Sequence, residues 1–173
     1  MNQKSKNEII EDMMRRPIPR KKVGIVRLQM VKEGRTLYGM HRFTDPAQAA
    51  EMVRPLFDMA DREMVLVLSL NTILEPMALE IAVVGGLNSC TIDCRDIFNH
   101  AVLNNAAFIM CFHNHPSGNP QPSEEDRRLT VRIEESGRIL GILLLDHIIV
   151  GEDLKYYSFK EHYGIRYAGR EVA

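Results

Sequence analysis

An apolar run that ends in two histidines is the feature that most restricts how this chain can fold. Residues 106–112 are uncharged and of strand length, and His113 and His115 follow with one residue between them. Because side chains alternate along a strand, the two imidazoles face the same side at its end. The prolines in 119–122 break the strand, and the helical pattern that follows can return Asp126 to the histidines. We therefore predict a strand, a loop and a helix that meet at these three side chains.

Two imidazoles and one carboxylate form a typical metal-binding set. Three nitrogen and oxygen ligands with a vacant fourth position are characteristic of catalytic zinc, whose bound water has a pKa of about 7. We predict one Zn²⁺ per chain, held by His113, His115 and Asp126. Each part also has an ordinary explanation, since a chain with six histidines can contain such a pair by chance, and Ser123 with Asp126 can form a helix capping box.

The complete pattern is His-x-His, ten intervening residues and then Asp, with a serine three residues before the Asp. It resembles the JAMM (MPN+, JAB) metalloprotease motif, and over residues 20–165 the chain more narrowly resembles the RadC family of bacterial proteins. Long members of that family carry an additional N-terminal helix-hairpin-helix region, so the resemblance implies a short, single-domain form. The segments that carry the resemblance are 61–63, 85–88, 95–98, 113–118 and 145–151.

The resemblance implies a fold and a set of roles. The fold is α/β, of the three-layer JAMM/MPN type (cytidine deaminase-like), with a central mixed β-sheet and helices on both faces. Glu63, directly before an apolar run, matches the general base of the family, and Ser123 matches the residue that donates to the oxyanion. Glu75 and Glu80 are weaker rivals to Glu63. The expected reaction is hydrolysis of a peptide or isopeptide bond in a protein or peptide substrate.

Other polar side chains in apolar runs are candidates for the same site. Asp146 and His147 interrupt a buried strand, and we expect them to orient a ligand imidazole or to be structural. Cys111 lies in the strand that enters the site, where a buried thiol is favoured over a nucleophile. The remaining histidines have no companion at ligand spacing and are expected to be structural: His41, His100 and His162.

Apolar periodicity predicts the secondary structure of the rest of the chain. We expect a loosely ordered basic arm over 1–20, the JAMM-like domain over 21–165 and a tail over 166–173. Within the domain, the predicted elements are a hairpin at 23–31 and 36–40, strands at 64–70, 79–84, 106–112 and 142–150, and helices at 45–60, 95–104 and 124–140.

Composition limits the class of protein. A chain of 173 residues with 45% hydrophobic content and net charge -1 suits one globular domain. The sequence has no long apolar stretch and no export signal, so we expect a cytoplasmic protein that does not contact membranes. Three cysteines without paired spacing argue against a disulfide framework.

The basic arm offers an alternative function. Residues 1–35 hold ten Lys or Arg against four acidic residues, and a cluster there could contact nucleic acid phosphates. A DNA-associated role of the RadC type, in repair or mobile-element biology, is therefore the alternative to peptidase activity. A homodimer is also compatible with the sequence. The clustered residues are Arg15, Arg16, Arg20, Lys21 and Lys22.

Overall fold

The computed structural model describes residues 7, 11, 15, 26–31, 45–58, 60–85 and 92–164. Residues 26–31, predicted to belong to a hairpin, are exposed and lie in no strand, so that prediction is wrong for this segment. A strand requires a partner, and none of the described strands pairs with it. The second half of the hairpin, at 36–40, lies outside the described residues, as does the tail over 166–173.

Helices and strands are mixed along the described part of the chain, and two pairs of strands follow each other with no helix between them. In chain order they are helix α1 (Pro46–Phe57), strands β1 (Met64–Leu70) and β2 (Pro76–Val84), helix α2 (Cys94–Leu103), strand β3 (Phe108–Asn114), helix α3 (Glu124–Leu140), strands β4 (Leu143–Val150) and β5 (Tyr156–Ser158), and helix α4 (Phe159–Tyr163).

The described strands form one mixed sheet in the order β2-β1-β3-β4-β5. Strands β3 and β4 are parallel, and every other neighbouring pair is antiparallel. A parallel pair needs a crossover, which α3 supplies. The first turn of α3 therefore follows the carboxyl end of β3, which is where the histidines are.

Helices cover both faces of the sheet, as predicted. Helix α1 packs its apolar side against one face of the sheet, and helices α2 and α3 pack their apolar sides against the opposite face. Because β1 and β3 are covered on both faces, each is a nearly continuous apolar run. The first core includes Ala49, Val53, Leu66, Leu68 and Phe112, and the second includes Ile97, Ala101, Ile109, Cys111 and Ile133.

The predicted bounds are accurate for β1 and α3 and differ elsewhere. Strand β2 begins at Pro76, earlier than predicted, and β3 continues to Asn114, so His113 lies inside the strand. Helix α1 begins after its N-cap, Asp45, and ends at Phe57. None of the helices in the described part of the chain has both the length and the apolar character needed to cross a bilayer.

Candidate metal centre

The structure brings the three predicted metal ligands together. His113 is fully buried near the end of β3, His115 directly follows the strand, and Asp126 is fully buried in the first turn of α3. One ligand atom from each residue lies within 4.8 Å of the others. The crossover topology produces this arrangement, because the carboxyl end of β3 and the amino end of α3 meet at the same edge of the sheet.

Asp126 serves as a helix-capping residue with one oxygen and leaves the other available. Its Oδ2 accepts from the backbone N–H and the hydroxyl of Ser123, both at 2.7 Å, while Ser123 Oγ accepts from the Asp126 N–H at 3.2 Å. Its Oδ1 is buried with no hydrogen-bond partner and lies 3.1 Å from His113 Nε2. The capping box and the metal-ligand interpretation are therefore compatible, since they use different oxygens.

The two imidazoles turn their Nε2 atoms toward each other. These atoms are 3.1 Å apart, and His115 Nε2 is 3.4 Å from Asp126 Oδ2. The outer nitrogens have other partners, since His115 Nδ1 lies 2.7 Å from the carbonyl oxygen of Asn119 and His113 Nδ1 lies 2.9 Å from His147 Nε2. An unsatisfied buried carboxylate oxygen beside two imidazole nitrogens fits a divalent cation such as zinc.

The charge of the cluster favours a cation. Burial would raise the pKa of the Asp126 carboxyl, but the neighbouring side chains of His113, His115 and Ser123 outweigh burial and hold that pKa well below its ordinary value. The Asp126 side chain in turn raises the pKa of His115. Asp126 therefore stays ionised in a fully buried position, where a negative charge is costly without a nearby positive one.

Glu63 lies beside this cluster, at the amino end of β1. It is close enough to His115 for its charge to raise the pKa of that imidazole. The side chain of Asn114 fixes the backbone on both sides of Glu63, because its Oδ1 accepts from Met64 N at 2.8 Å and its Nδ2 donates to Arg62 O at 3.2 Å. Glu63 is thereby held next to the end of β3.

The rival carboxylates lie elsewhere. Glu75 follows the opposite end of β1, where its carboxylate accepts from Asn71 Nδ2 at 2.9 Å. Glu80 lies in β2, and its Oε2 is 2.8 Å from Nδ1 of His100 in α2. Of the three candidate bases, Glu63 is therefore the one that the fold places at the cluster.

His147 and Asp146 are adjacent in sequence but have separate partners. His147 directly contacts His113, one of the predicted metal ligands. The Asp146 carboxylate instead accepts from Ser158 Oγ at 2.6 Å and from Lys160 N at 2.9 Å, so it holds the start of α4 rather than an imidazole. Burial raises the pKa of Asp146 to about 6, although these hydrogen bonds oppose the increase.

Cys111 is fully buried, as expected, and burial raises the pKa of its thiol. The thiolate that nucleophilic catalysis requires is therefore disfavoured.

Arg15 is the only member of the basic cluster among the described residues, and it lies 3.9 Å from Glu11. The DNA interpretation consequently rests on residues outside the described part of the chain.

Three residues around the centre have contacts that the sequence patterns did not predict. Asn114 fixes Glu63, Asn119 accepts from His115, and Thr130 contacts His147 at 2.7 Å. Asn114 lies between the two histidines, and Thr130 lies one helical turn after Asp126. Their position next to predicted ligands was therefore the signal in the sequence that could have identified these two residues. Their polar partners could not be identified without the fold.

Comparison with known proteins agrees with these observations. The family model of the RadC-like JAB domain matches residues 43–165. A UPF0758 protein of Listeria monocytogenes is 46% identical over 116 residues, which is 67% of this chain and 51% of that protein. UPF0758 proteins of Clostridium beijerinckii and Rubrobacter xylanophilus are 38% and 42% identical over 77% and 69% of this chain, covering 59% and 52% of their own lengths. The chain thus spans little more than half the length of these curated relatives.

Proposed function

Because the chain belongs to the RadC-like JAB domain family, we propose that it is a zinc-dependent metallopeptidase that hydrolyses a peptide or isopeptide bond. The observation that carries this proposal is the buried Asp126 Oδ1, which has no hydrogen-bond partner and faces the Nε2 atoms of His113 and His115. Such a group needs a cation, and the nitrogen and oxygen ligands match catalytic zinc.

Three protein ligands would leave the fourth position of a tetrahedral zinc ion open to water. When bound in such a site, zinc lowers the pKa of a coordinated water to about 7 and polarises a substrate carbonyl. The buried and ionised Asp126 and the two imidazoles would hold the cation against the end of β3. This arrangement favours hydrolysis over a purely structural role, because structural zinc sites use four protein ligands.

Glu63 is assigned the proton transfers. Its carboxylate would accept a proton from the attacking water and return it to the leaving amine, which requires a position beside the metal ligands. The hydrogen bonds from the Asn114 side chain to the backbone on both sides of Glu63 support this assignment. Ser123 would donate to the oxyanion, and for this its hydroxyl must leave Asp126 Oδ2.

The test compares Glu63→Gln with Glu75→Gln, a matched substitution at the opposite end of β1. Zinc content is measured by elemental analysis after gel filtration, and hydrolysis by mass spectrometry of a pool of unstructured peptides and of isopeptide-linked peptides. We expect about one zinc per chain in all three proteins, with cleavage lost only in Glu63→Gln. Zinc-free wild type that remains folded, or full cleavage by Glu63→Gln, would contradict the proposal.

The remaining expectations from the sequence stay predictions. These are the DNA-associated role, the homodimer and the cytoplasmic location. Salt-dependent DNA affinity that is lost when the cluster from Arg15 to Lys22 is neutralised would favour the DNA-associated role.

A further inference from the structure

A buried chain of hydrogen bonds leads from helix α3 to the outer nitrogen of His113. Thr130 Oγ1 donates to the carbonyl oxygen of Asp126 at 2.7 Å and lies 2.7 Å from His147 Nδ1. His147 Nε2 lies 2.9 Å from His113 Nδ1. Thr130 is 5% exposed and both histidines are fully buried, so bulk water cannot replace any member of this chain.

The number of protons available to this series of hydrogen bonds determines which nitrogens of His147 and His113 carry a proton. The single hydroxyl proton of Thr130 is donated to the carbonyl of Asp126, so the same oxygen accepts from His147, whose proton is then on Nδ1. A neutral imidazole has one N–H, so His147 Nε2 accepts, and the proton of His113 is on its Nδ1. In the neutral ring, His113 Nε2 then carries a lone pair that faces His115 and Asp126.

The orientation of the intermediate ring is also fixed. His147 stacks on Phe159, with ring centroids 5.1 Å apart and planes inclined by 12°. A half-turn of the His147 ring about its Cβ–Cγ bond would turn Cδ2 and Cε1, in place of the two nitrogens, toward Thr130 and His113, and both contacts would be lost. The direction of the hydrogen bonds is therefore set by the hydroxyl at one end.

We propose that Thr130 is a positioning residue which, through His147, keeps the proton of His113 on Nδ1 and so presents Nε2 as a ready metal ligand. This inference deepens the proposed zinc site and rests on it for its functional meaning. The proton positions themselves are properties of the metal-free protein. The two ideas can consequently fail separately.

Replacing Thr130 with valine removes the acceptor for His147 Nδ1–H while nearly keeping the shape of the side chain. A proton on Nδ1 of the buried His147 would then have no acceptor. The tautomer with the proton on Nε2 is favoured instead, because that N–H can donate to His113 Nδ1. The proton of His113 moves to Nε2, the atom that would bind the metal. Loss of an outer partner of this kind weakens metal binding by about 10–100-fold.

The experiment uses wild type, Thr130→Val, Thr130→Ser and Ser136→Ala, the last removing a hydroxyl from a later turn of α3. Zinc affinity is measured by competition with a chromophoric chelator. The proton positions on the rings of His113 and His147 are measured by ¹⁵N NMR of metal-free protein. Thr130→Val should bind zinc about 10–100-fold more weakly, with the proton of His113 moved to Nε2. Thr130→Ser and Ser136→Ala should match wild type.

Two results would overturn the role of Thr130. One is wild-type affinity in a folded Thr130→Val protein. The other is a His113 proton on Nε2 in metal-free wild type, a measurement that needs no variant to fold. Wild type that binds no zinc contradicts the proposed function instead, and the NMR measurement still decides the proton positions.

Discussion

Asp126 and Asp146 are both buried, and each accepts a hydrogen bond from the serine that caps a helix, yet their environments differ. Ser123 donates to Asp126 Oδ2, and Ser158 donates to Asp146 Oδ2. The second oxygen of Asp146 accepts from Lys160 N, whereas Asp126 Oδ1 has no hydrogen-bond partner and faces two imidazoles.

The pKa values reflect this difference. The pKa of Asp126 is well below its ordinary value because of the neighbouring histidine and serine side chains, and that of Asp146 is raised to about 6 by burial. A buried aspartate therefore does not identify a metal site. Asp126 differs from Asp146 in having one carboxylate oxygen that no protein group donates to and that lies close to the Nε2 atoms of two histidines.

The largest expected effect is on zinc affinity, and it should separate the asparagine variants of the two aspartates. Asp126→Asn should weaken zinc binding by more than the roughly 100-fold upper range for loss of an outer partner, because a ligand itself is removed. Asp146→Asn should leave the zinc affinity unchanged. Chelator competition measures both, and equal losses in the two variants would remove the distinction between the aspartates.

Zinc should also stabilise the fold, and this stabilisation should depend on Asp126 and not on Asp146. At a free zinc concentration about 1,000 times the dissociation constant, the free energy of unfolding should rise by about 4 kcal/mol. Urea unfolding with zinc and with a chelator measures the difference. The same increase should occur in Asp146→Asn and be absent in Asp126→Asn, and a similar increase in Asp126→Asn would show that zinc binds elsewhere.

The raised pKa of Asp146 predicts a pH dependence of stability. Its folded-state pKa of about 6 exceeds its ordinary value of 3.8, so the folded protein holds the proton more tightly. The contribution of this proton to the free energy of unfolding is fully present below pH 3.8, the ordinary pKa of aspartate. It is lost as the pH rises through about 6, and the loss is at most about 3 kcal/mol. Asparagine at position 146 cannot ionise, so Asp146→Asn should not show this loss of stability.

Urea unfolding of metal-free protein between about pH 4 and about pH 7 tests this dependence. Relative to wild type, Asp146→Asn should gain stability as the pH rises. Parallel curves for the two proteins would show that Asp146 does not titrate differently in the folded and unfolded states.

The smallest effects separate the two capping serines. Ser123→Ala and Ser158→Ala should each lower the free energy of unfolding of metal-free protein by about 1 kcal/mol, because each removes a helix cap. Ser123→Ala should also weaken zinc binding by about 10-fold, since it releases Asp126, whereas Ser158→Ala should not. A loss of zinc affinity in Ser158→Ala would connect Asp146 to the metal after all.

The sequence predicted the parts of this structure that depend on local pattern. Continuous apolar runs identified β1 and β3, and residue type with spacing identified the cluster of His113, His115 and Asp126. The resemblance to the JAMM motif supplied Glu63, which the fold places beside that cluster.

The sequence could not predict contacts between distant segments. Asp146 is adjacent to His147, but its partners Ser158 and Lys160 come from the next strand and helix, so adjacency gave no indication of them. The Asn114 side chain bonds the backbone on either side of Glu63, and this requires β1 and β3 to be neighbours. Alternation at 26–31 suggested a strand, but strand formation depends on a partner rather than on the pattern alone.

The most direct test is anomalous X-ray diffraction at the zinc edge from crystals of the wild-type protein grown with zinc. The account predicts one zinc bound by Nε2 of His113, Nε2 of His115 and Oδ1 of Asp126, at roughly 2.0–2.2 Å from each, and none at Asp146. Crystals with no anomalous peak at these three residues, or with zinc bound through the outer Nδ1 atoms, would contradict it.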